Sequence, residues 1–256
     1  YAYANQLRAT YLEKLVEFAG GKFEKAFLLS AGTEATEAVF KLMRMNAIRL
    51  KKRKRGIICL SGNWHGRTMG AQMMSGNKSQ KEWIGFQDTN IHHIDFPYPW
   101  IIKETDPKEF LKKELDKLIS MGISLEKDIC GFMLETFQGW GALFYPKEFV
   151  KAIEEFSREN DILLTFDEMQ AGFGRTGELF GYMHYDVEPD LLCCGKGASS
   201  GFPLALVLGS ANLLDIPEIG SMSSTHSANP VVCAAGKANL EALFEDNLIF
   251  NSKELG

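Results

Sequence analysis

ILLTFDEMQAGFGR, residues 162–175, is the stretch whose reading decides the fold. Four apolar positions and one Thr read as a buried strand, Asp167 and Glu168 fall where it ends, and a Gly-rich loop then turns away. Ligands of open α/β sheets bind beyond the carboxyl ends of the strands, which makes a carboxylate at this point a site candidate. From this stretch alone, an acidic start to an ordinary loop reads equally well.

The flanking sequence repeats the same unit. Residues 129–134 are an apolar run ending at Glu135, Gln138 and Gly139, and residues 146–160 follow as a helix with Pro146 at its first position. Residues 107–121 carry Phe110, Leu111, Leu115 and Leu118 on one helical side and are stopped by Gly122. Farther upstream, residues 26–29 and 57–60 are short apolar strands. The first leads through Ser30, Ala31, Gly32 and Thr33 into a helix over residues 34–52; the second leads into the loop Gly62-Asn63-Trp64-His65-Gly66-Arg67-Thr68. A strand, a tight turn and a helix start make a ready anion site, because unpaired backbone N–H groups point at it, although most such turns merely begin a helix. Residues 1–21 open on a helical pattern with Leu7, Tyr11, Leu15 and Phe18 on one side. Downstream, residues 190–194 are strand-like and end in Gly195-Lys196-Gly197, residues 204–208 form another strand, and Thr225 and His226 precede a helix to about residue 244. This alternation predicts an α/β fold, a three-layer sandwich with a mostly parallel central sheet whose strand ends face one crevice.

With 256 residues, 45% hydrophobic and 24% charged, the chain can bury a large core. A net charge of −5 argues against dedicated nucleic-acid binding, and no apolar run approaches the roughly 18 residues that span a membrane. Five cysteines, with Cys59, Cys130, Cys193 and Cys194 in apolar runs, point to core thiols and a reducing, cytoplasmic setting. The basic run from Lys51 to Arg55 reads as a solvated helix end that complements the dipole. The neighbours His92 and His93 cannot share one face of a strand or helix, so no metal site is expected there.

Together these motifs resemble the class III pyridoxal-phosphate aminotransferases, of the aspartate-aminotransferase-like fold type I, over about residues 27–243. The resemblance implies a transferase that uses pyridoxal 5'-phosphate and moves an amino group from an amino acid or amine donor to a 2-keto acid. It makes Lys196 the lysine that holds the cofactor as an internal aldimine, a Schiff base, and later moves the substrate's proton; burial is expected to lower its pKa. Asp167 becomes the partner of the pyridine nitrogen, with Gln170 on the ring's phenolic oxygen and Glu168 orienting the loop. Gly32 and Thr33 match the phosphate cup, and Trp64, followed by His65, stands where an aromatic stacks on the cofactor ring. Thr225 matches a residue that reaches the phosphate of the neighbouring subunit, which implies a homodimer.

Two departures from the family pattern matter. Glu135-Thr136-Phe137-Gln138-Gly139-Trp140 keeps Glu135 and Gln138 of the motif EPVQGEGG, but Trp140 replaces a Glu that masks a substrate-binding Arg in glutamate-using members. That favours pyruvate over 2-oxoglutarate as acceptor and places Glu135, Gln138 and Trp140 on the substrate side. The chain is also shorter than the family's members, so residues 1–256 are expected to be the cofactor-binding large domain, with an incomplete helical segment at residues 1–21 and the C-terminal small domain missing. Arg175 is then expected as a structural ion-pair partner. The same cofactor chemistry leaves racemase, aminomutase and decarboxylase readings open, and a non-catalytic fragment as well.

Overall fold

The computed structural model describes residues 3–21 and 23–256. Its helices are α1 (Gln6–Ala19), α2 (Gly32–Arg49), α3 (Met69–Met74), α4 (Pro107–Ser120), α5 (Leu125–Asp128), α6 (Lys147–Glu159), α7 (Ala211–Leu214), α8 (Pro230–Glu245) and α9 (Leu248–Leu255). Its strands are β1 (Lys25–Leu29), β2 (Gly56–Leu60), β3 (Ile91–Ile94), β4 (Ile129–Glu135), β5 (Phe137–Gln138), β6 (Leu143–Phe144), β7 (Leu163–Asp167), β8 (Leu191–Cys194) and β9 (Ala205–Gly209).

One sheet has the order β1-β9-β8-β7-β4-β2-β3, and β5 and β6 pair separately. The strands β3, β2, β4, β7 and β8 are parallel, whereas β9 is antiparallel to both β8 and β1. The reversal follows from chain length: only residues 195–204 separate β8 from β9, fewer than the dozen or so that a parallel crossover needs. Because β1 regains the common direction, the carboxyl ends of β1, β2, β4, β7 and β8 share one edge of the sheet.

Alternation along the strands builds two apolar layers. Ile57 and Cys59 of β2, Leu163 of β7 and Cys193 of β8 face Val39, Leu42 and Met43 of α2. Ile58 and Leu60, Leu164 and Phe166, and Cys194 face the opposite layer, with Tyr11 and Leu15 of α1, Leu115 of α4 and Phe149 and Ile153 of α6. Each fully buried Leu, Ile or Phe in these layers contributes roughly 1.5–3 kcal/mol of transfer free energy. All five cysteines are buried as free thiols, Cys233 included.

Several local details differ from the sequence reading. The helix expected over residues 34–52 spans Gly32–Arg49, because Glu34 Oε2 accepts the amides of Ser30 and Ala31 at 2.8 and 3.1 Å and lets the helix begin two residues early. At the other end Lys51 adopts a φ of +54°, which stops it. Lys52 and Arg53 are not simply solvated: the Lys52 ammonium donates to the carbonyls of Glu126 and Asn160, and Arg53 forms an ion pair with Asp128. His92 and His93 belong to β3 at the sheet edge, a strand that two adjacent histidines disguise.

Candidate active site

β7 carries Asp167 and Glu168 to the shared edge, and the two side chains diverge there. Asp167 is 4% exposed; its Oδ2 lies 3.0 Å from His65 Nδ1, and its Oδ1 accepts the Met169 amide at 3.0 Å. The contact orients the imidazole, with Nδ1 turned toward the carboxyl group. His65 is buried, and its Nε2 has no partner among the described residues. Glu168 Oε1 accepts the Thr136 hydroxyl at 2.6 Å and the Tyr182 amide at 2.8 Å, while Oε2 accepts the Gly181 amide at 2.9 Å. Burial pushes its carboxyl up to about 7 against the pull of those three bonds. Glu168 therefore organises the loop that follows.

At the end of β8, Lys196 takes a φ of +37° and opens a single 3-10 turn, Lys196–Ala198. A non-glycine residue in that region is strained, and the turn is pinned on both sides. The Ala198 amide donates to the Gly195 carbonyl at 2.9 Å, and Asn239 Nδ2 to the Gly197 carbonyl at 2.7 Å. The expected burial of Lys196 is not met: its side chain is exposed, because the backbone leaves the sheet at that residue. A β-carbon on Gly195 would stand 2.7 Å from Met169 Sδ, and one on Gly32 would stand 2.8 Å from the same sulfur. These two missing side chains let the Lys196 turn approach the start of α2.

Gly32 and Thr33 are the first residues of α2, so their amides have no acceptor within the helix. Thr33 Oγ1 lies 2.6 Å from Thr68 Oγ1, and Thr68 in turn donates to Glu37 Oε1 at 2.6 Å. Glu37 Oε1 also accepts the amides of Gly70 and Ala71, at 2.8 and 3.1 Å, and so caps α3. Thr225 is exposed, on a loop that meets the same helix start where Ser224 Oγ lies 3.5 Å from Glu34 Oε1.

Trp64 is half-buried, with the Arg67 guanidinium 4.6 Å from its ring centroid. Its amide donates to Glu135 Oε2 at 2.9 Å. Burial first, and Asp167 second, push the Glu135 carboxyl up to about 8, against the amides of Trp64 and Gly139 and the charge of Lys196. Gln138 is fully buried and donates from Nε2 to the Ser61 carbonyl at 3.1 Å; its Oε1 has no partner among the described residues. Trp140 is 68% exposed, yet its Nε1 donates to the Gly62 carbonyl at 3.0 Å. Gln170 is half-buried, its Cγ 3.3 Å from where a β-carbon on Gly139 would lie. Arg175 is exposed, and the ion pairs seen among the described residues do not include it, against the ion-pair role expected of it.

The fold gathers at one edge four residues that the sequence reading singles out, Asp167, Lys196, Gly32 and Thr33. That reading missed the pairing of His65 with Asp167, which joins residues 102 positions apart, and the cap made by Glu37. For His65 the available signal was its place on a loop at a strand end.

The class III aminotransferase family model matches residues 1–256. The chain is 33% identical over 240 residues to a 2-aminoadipate transaminase of Pseudomonas putida, covering 93% of this chain and 56% of that protein. It is 33% identical over 254 residues to an alanine/serine racemase of Pyrococcus horikoshii, covering 95% of this chain and 52% of that protein. Its fold matches that of an (S)-enantioselective omega-transaminase from Thermomicrobium roseum with a TM-score of 0.88 at 29% identity, over 97% of this chain and 57% of that one. The chain spans little more than half the length of these relatives. An anion-ready helix start, a buried carboxylate and a glycine-flanked lysine at one sheet edge, matched by a family model from end to end, have one reading: the chain belongs to the class III aminotransferase family.

Proposed function

We propose that residues 1–256 form the cofactor-binding large domain of an aminotransferase that moves an amino group from an amino acid or amine to a 2-keto acid, with pyruvate favoured over 2-oxoglutarate. The observation that carries this reading is the close approach of the Gly195–Lys196 turn to the start of α2 around Met169, two residues beyond Asp167. Class III aminotransferases use pyridoxal 5'-phosphate, and the residues present fit that group. The cradle left by Gly32 and Gly195 and the unpaired amides of α2 suit a phosphate, the half-buried Trp64 suits a flat ring, and Lys196 offers an accessible primary amine.

When bound, the cofactor supplies a carbonyl that takes up amino groups and a ring that accepts the electrons of a breaking Cα–H bond. The chain's residues divide the remaining work. The Gly32 and Thr33 amides bind the phosphate with the favourable end of the α2 dipole. Asp167, fixed by His65 and the Met169 amide, would hold the pyridine nitrogen side of the ring and stabilise positive charge there. Gln170 would lie toward the phenolic oxygen, and Trp64 would support one face of the ring. Lys196 Nζ would anchor the group and move the proton at the substrate carbon. Two copies share their sites in a homodimer, each lending Thr225 to the other's phosphate. The exposed indole of Trp140, in the place of an acidic residue, favours apolar amino donors.

The test is absorbance at about 410–430 nm after adding pyridoxal phosphate to the intact protein, followed by borohydride reduction and peptide mapping. Wild type develops the band and carries the label on Lys196. Lys196→Ala shows neither, and an unchanged spectrum in that variant would mean that another lysine is the anchor. Comparing alanine with glutamate as donor tests the acceptor preference, and faster transfer from glutamate would reverse it. The identity to an alanine/serine racemase supports a second reading, amino-acid racemisation at the same site. Chiral analysis separates the two: racemisation turns L-alanine into D-alanine without a keto acid, whereas aminotransfer requires one.

A further inference from the structure

The strands β2 and β4 are parallel neighbours, so the loops after them leave the sheet side by side. Three side chains of the second loop each hold a backbone group of the first. Gln138 Nε2 donates to the Ser61 carbonyl, Trp140 Nε1 to the Gly62 carbonyl, and Glu135 Oε2 accepts the Trp64 amide, at 3.1, 3.0 and 2.9 Å. From the opposite side the Gly76 amide donates to the Asn63 carbonyl at 2.7 Å, and Ser75 Oγ accepts the His65 amide at 2.9 Å. A β-carbon on Gly76 would fall 2.1 Å from the Gly62 nitrogen, so the loop sits in a slot that only glycine keeps open. Every residue from Ser61 to His65 is thus held by a bond from outside the loop.

We propose that Glu135, Gln138 and Trp140 act as a three-point template for the loop that carries Trp64, making Trp140 a positioning residue for the cofactor-stacking ring through its indole N–H. Two observations carry this role. The indole nitrogen is engaged while most of the ring is exposed, which is an arrangement for holding a neighbour in place. Gln138, with nothing of its side chain in solvent, spends its amide on the same loop and leaves Oε1 without a partner among the described residues. Within six residues the three side chains reach the backbone at Ser61, Gly62 and Trp64, while Gly76 and Ser75 hold Asn63 and His65. The template rests on the reading of Trp64 as a ring-stacking residue, but its mechanical part stands without it.

The two parts are tested separately on the intact protein. Trp140→Phe keeps an aromatic ring and removes the N–H donor. In the cofactor-free protein, hydrogen exchange of the peptide spanning residues 61–66 is expected to speed up about 5- to 10-fold in this variant, because a loop with one fewer tether opens more often and exposes the bonded amides of Trp64 and His65. Unchanged exchange would overturn the template. With pyridoxal phosphate added, the same variant is expected to lower the induced circular dichroism of the cofactor and weaken its binding about 3- to 10-fold. Trp140→His, whose ring N–H can again donate, is expected to restore part of both. Faster exchange with unchanged dichroism and affinity would overturn the positioning role. Trp64→Ala then identifies the cause: if it too leaves cofactor affinity unchanged, the stacking assignment of Trp64 has failed, and if it weakens binding, the link from Trp140 has failed.

Discussion

Glu135 is where a change of pH strikes this site hardest. Burial in the neighbourhood of Asp167 raises its carboxyl from the ordinary 4.5 to about 8, so the folded chain keeps a proton that the unfolded chain releases. A folded-state pKa above the unfolded one adds stability that is complete below about 4.5 and is lost as pH climbs through about 8. At about 1.4 kcal/mol per pH unit the whole window is worth up to roughly 5 kcal/mol, and relaxation of the site with entry of water as the carboxyl ionises brings this to about 2–3 kcal/mol. Glu135→Gln removes the titration, together with the charge that Asp167 and Lys196 feel, and adds an offset from the altered contacts to the Trp64 and Gly139 amides. Urea denaturation of the cofactor-free protein at pH 5, 7 and 9 is the assay. The stability of wild type relative to Glu135→Gln is expected to fall by about 2–3 kcal/mol from pH 5 to 9. Glu168, raised to about 7, has finished titrating at the upper end, so the decline between pH 7 and 8 belongs mainly to Glu135. A gap that stays constant across this range would refute the reasoning, since it would mean that Glu135 ionises normally in the folded protein.

Asp167→Ala should leave Lys196 able to take up the cofactor, with its absorbance band intact, while turnover falls at least about 100-fold; parallel spectra and rates check this, and undiminished turnover counts against the pyridine assignment. Gly76→Ala pushes a β-carbon onto the Gly62 backbone nitrogen, which cannot yield as a flexible side chain would, and should lower stability by about 3 kcal/mol or more, read as a drop in Tm. Gly195→Ala meets the sulfur of Met169, which can swing away, and should cost about 1–2 kcal/mol in stability and weaken cofactor binding; titration calorimetry distinguishes it from a purely structural change. Glu37→Gln weakens the cap on the first turn of α3 and should cost about 1 kcal/mol in urea melts.

What the sequence disclosed was set by local physics. The run of residues 162–167 reads as a strand because its apolar side chains can be buried on both faces, and Asp167 marks its end because a buried carboxylate needs partners, which the loops beyond the strand end supply. The start of α2 is legible for the same kind of reason, although the reach of Glu34 back to Ser30 moves it by two residues. Features that depend on which loops become neighbours were not legible. The contact of Trp140 with Gly62 needs β2 beside β4, an adjacency of strands that do not follow one another in the chain. The pairing of His65 with Asp167 needs the step from β2 across β4 to β7. Nor does residue type foretell that Lys196 takes a φ of +37° or that its side chain is exposed. The direction of β9 was available from the short connection before it, and follows once loop length is weighed against strand pattern.

The opposite headings of Asp167 and Glu168 make the site a matter of parity. Side chains along a strand alternate, so sliding β7 by one position in its ladder would exchange the two carboxylates. The same slip would turn Phe166 and Leu164 toward α2 and Thr165 toward the aromatic layer, mismatching both cores at once. The oily side chains upstream therefore proofread the site: the register that packs best is also the one that points Asp167, and not Glu168, at His65.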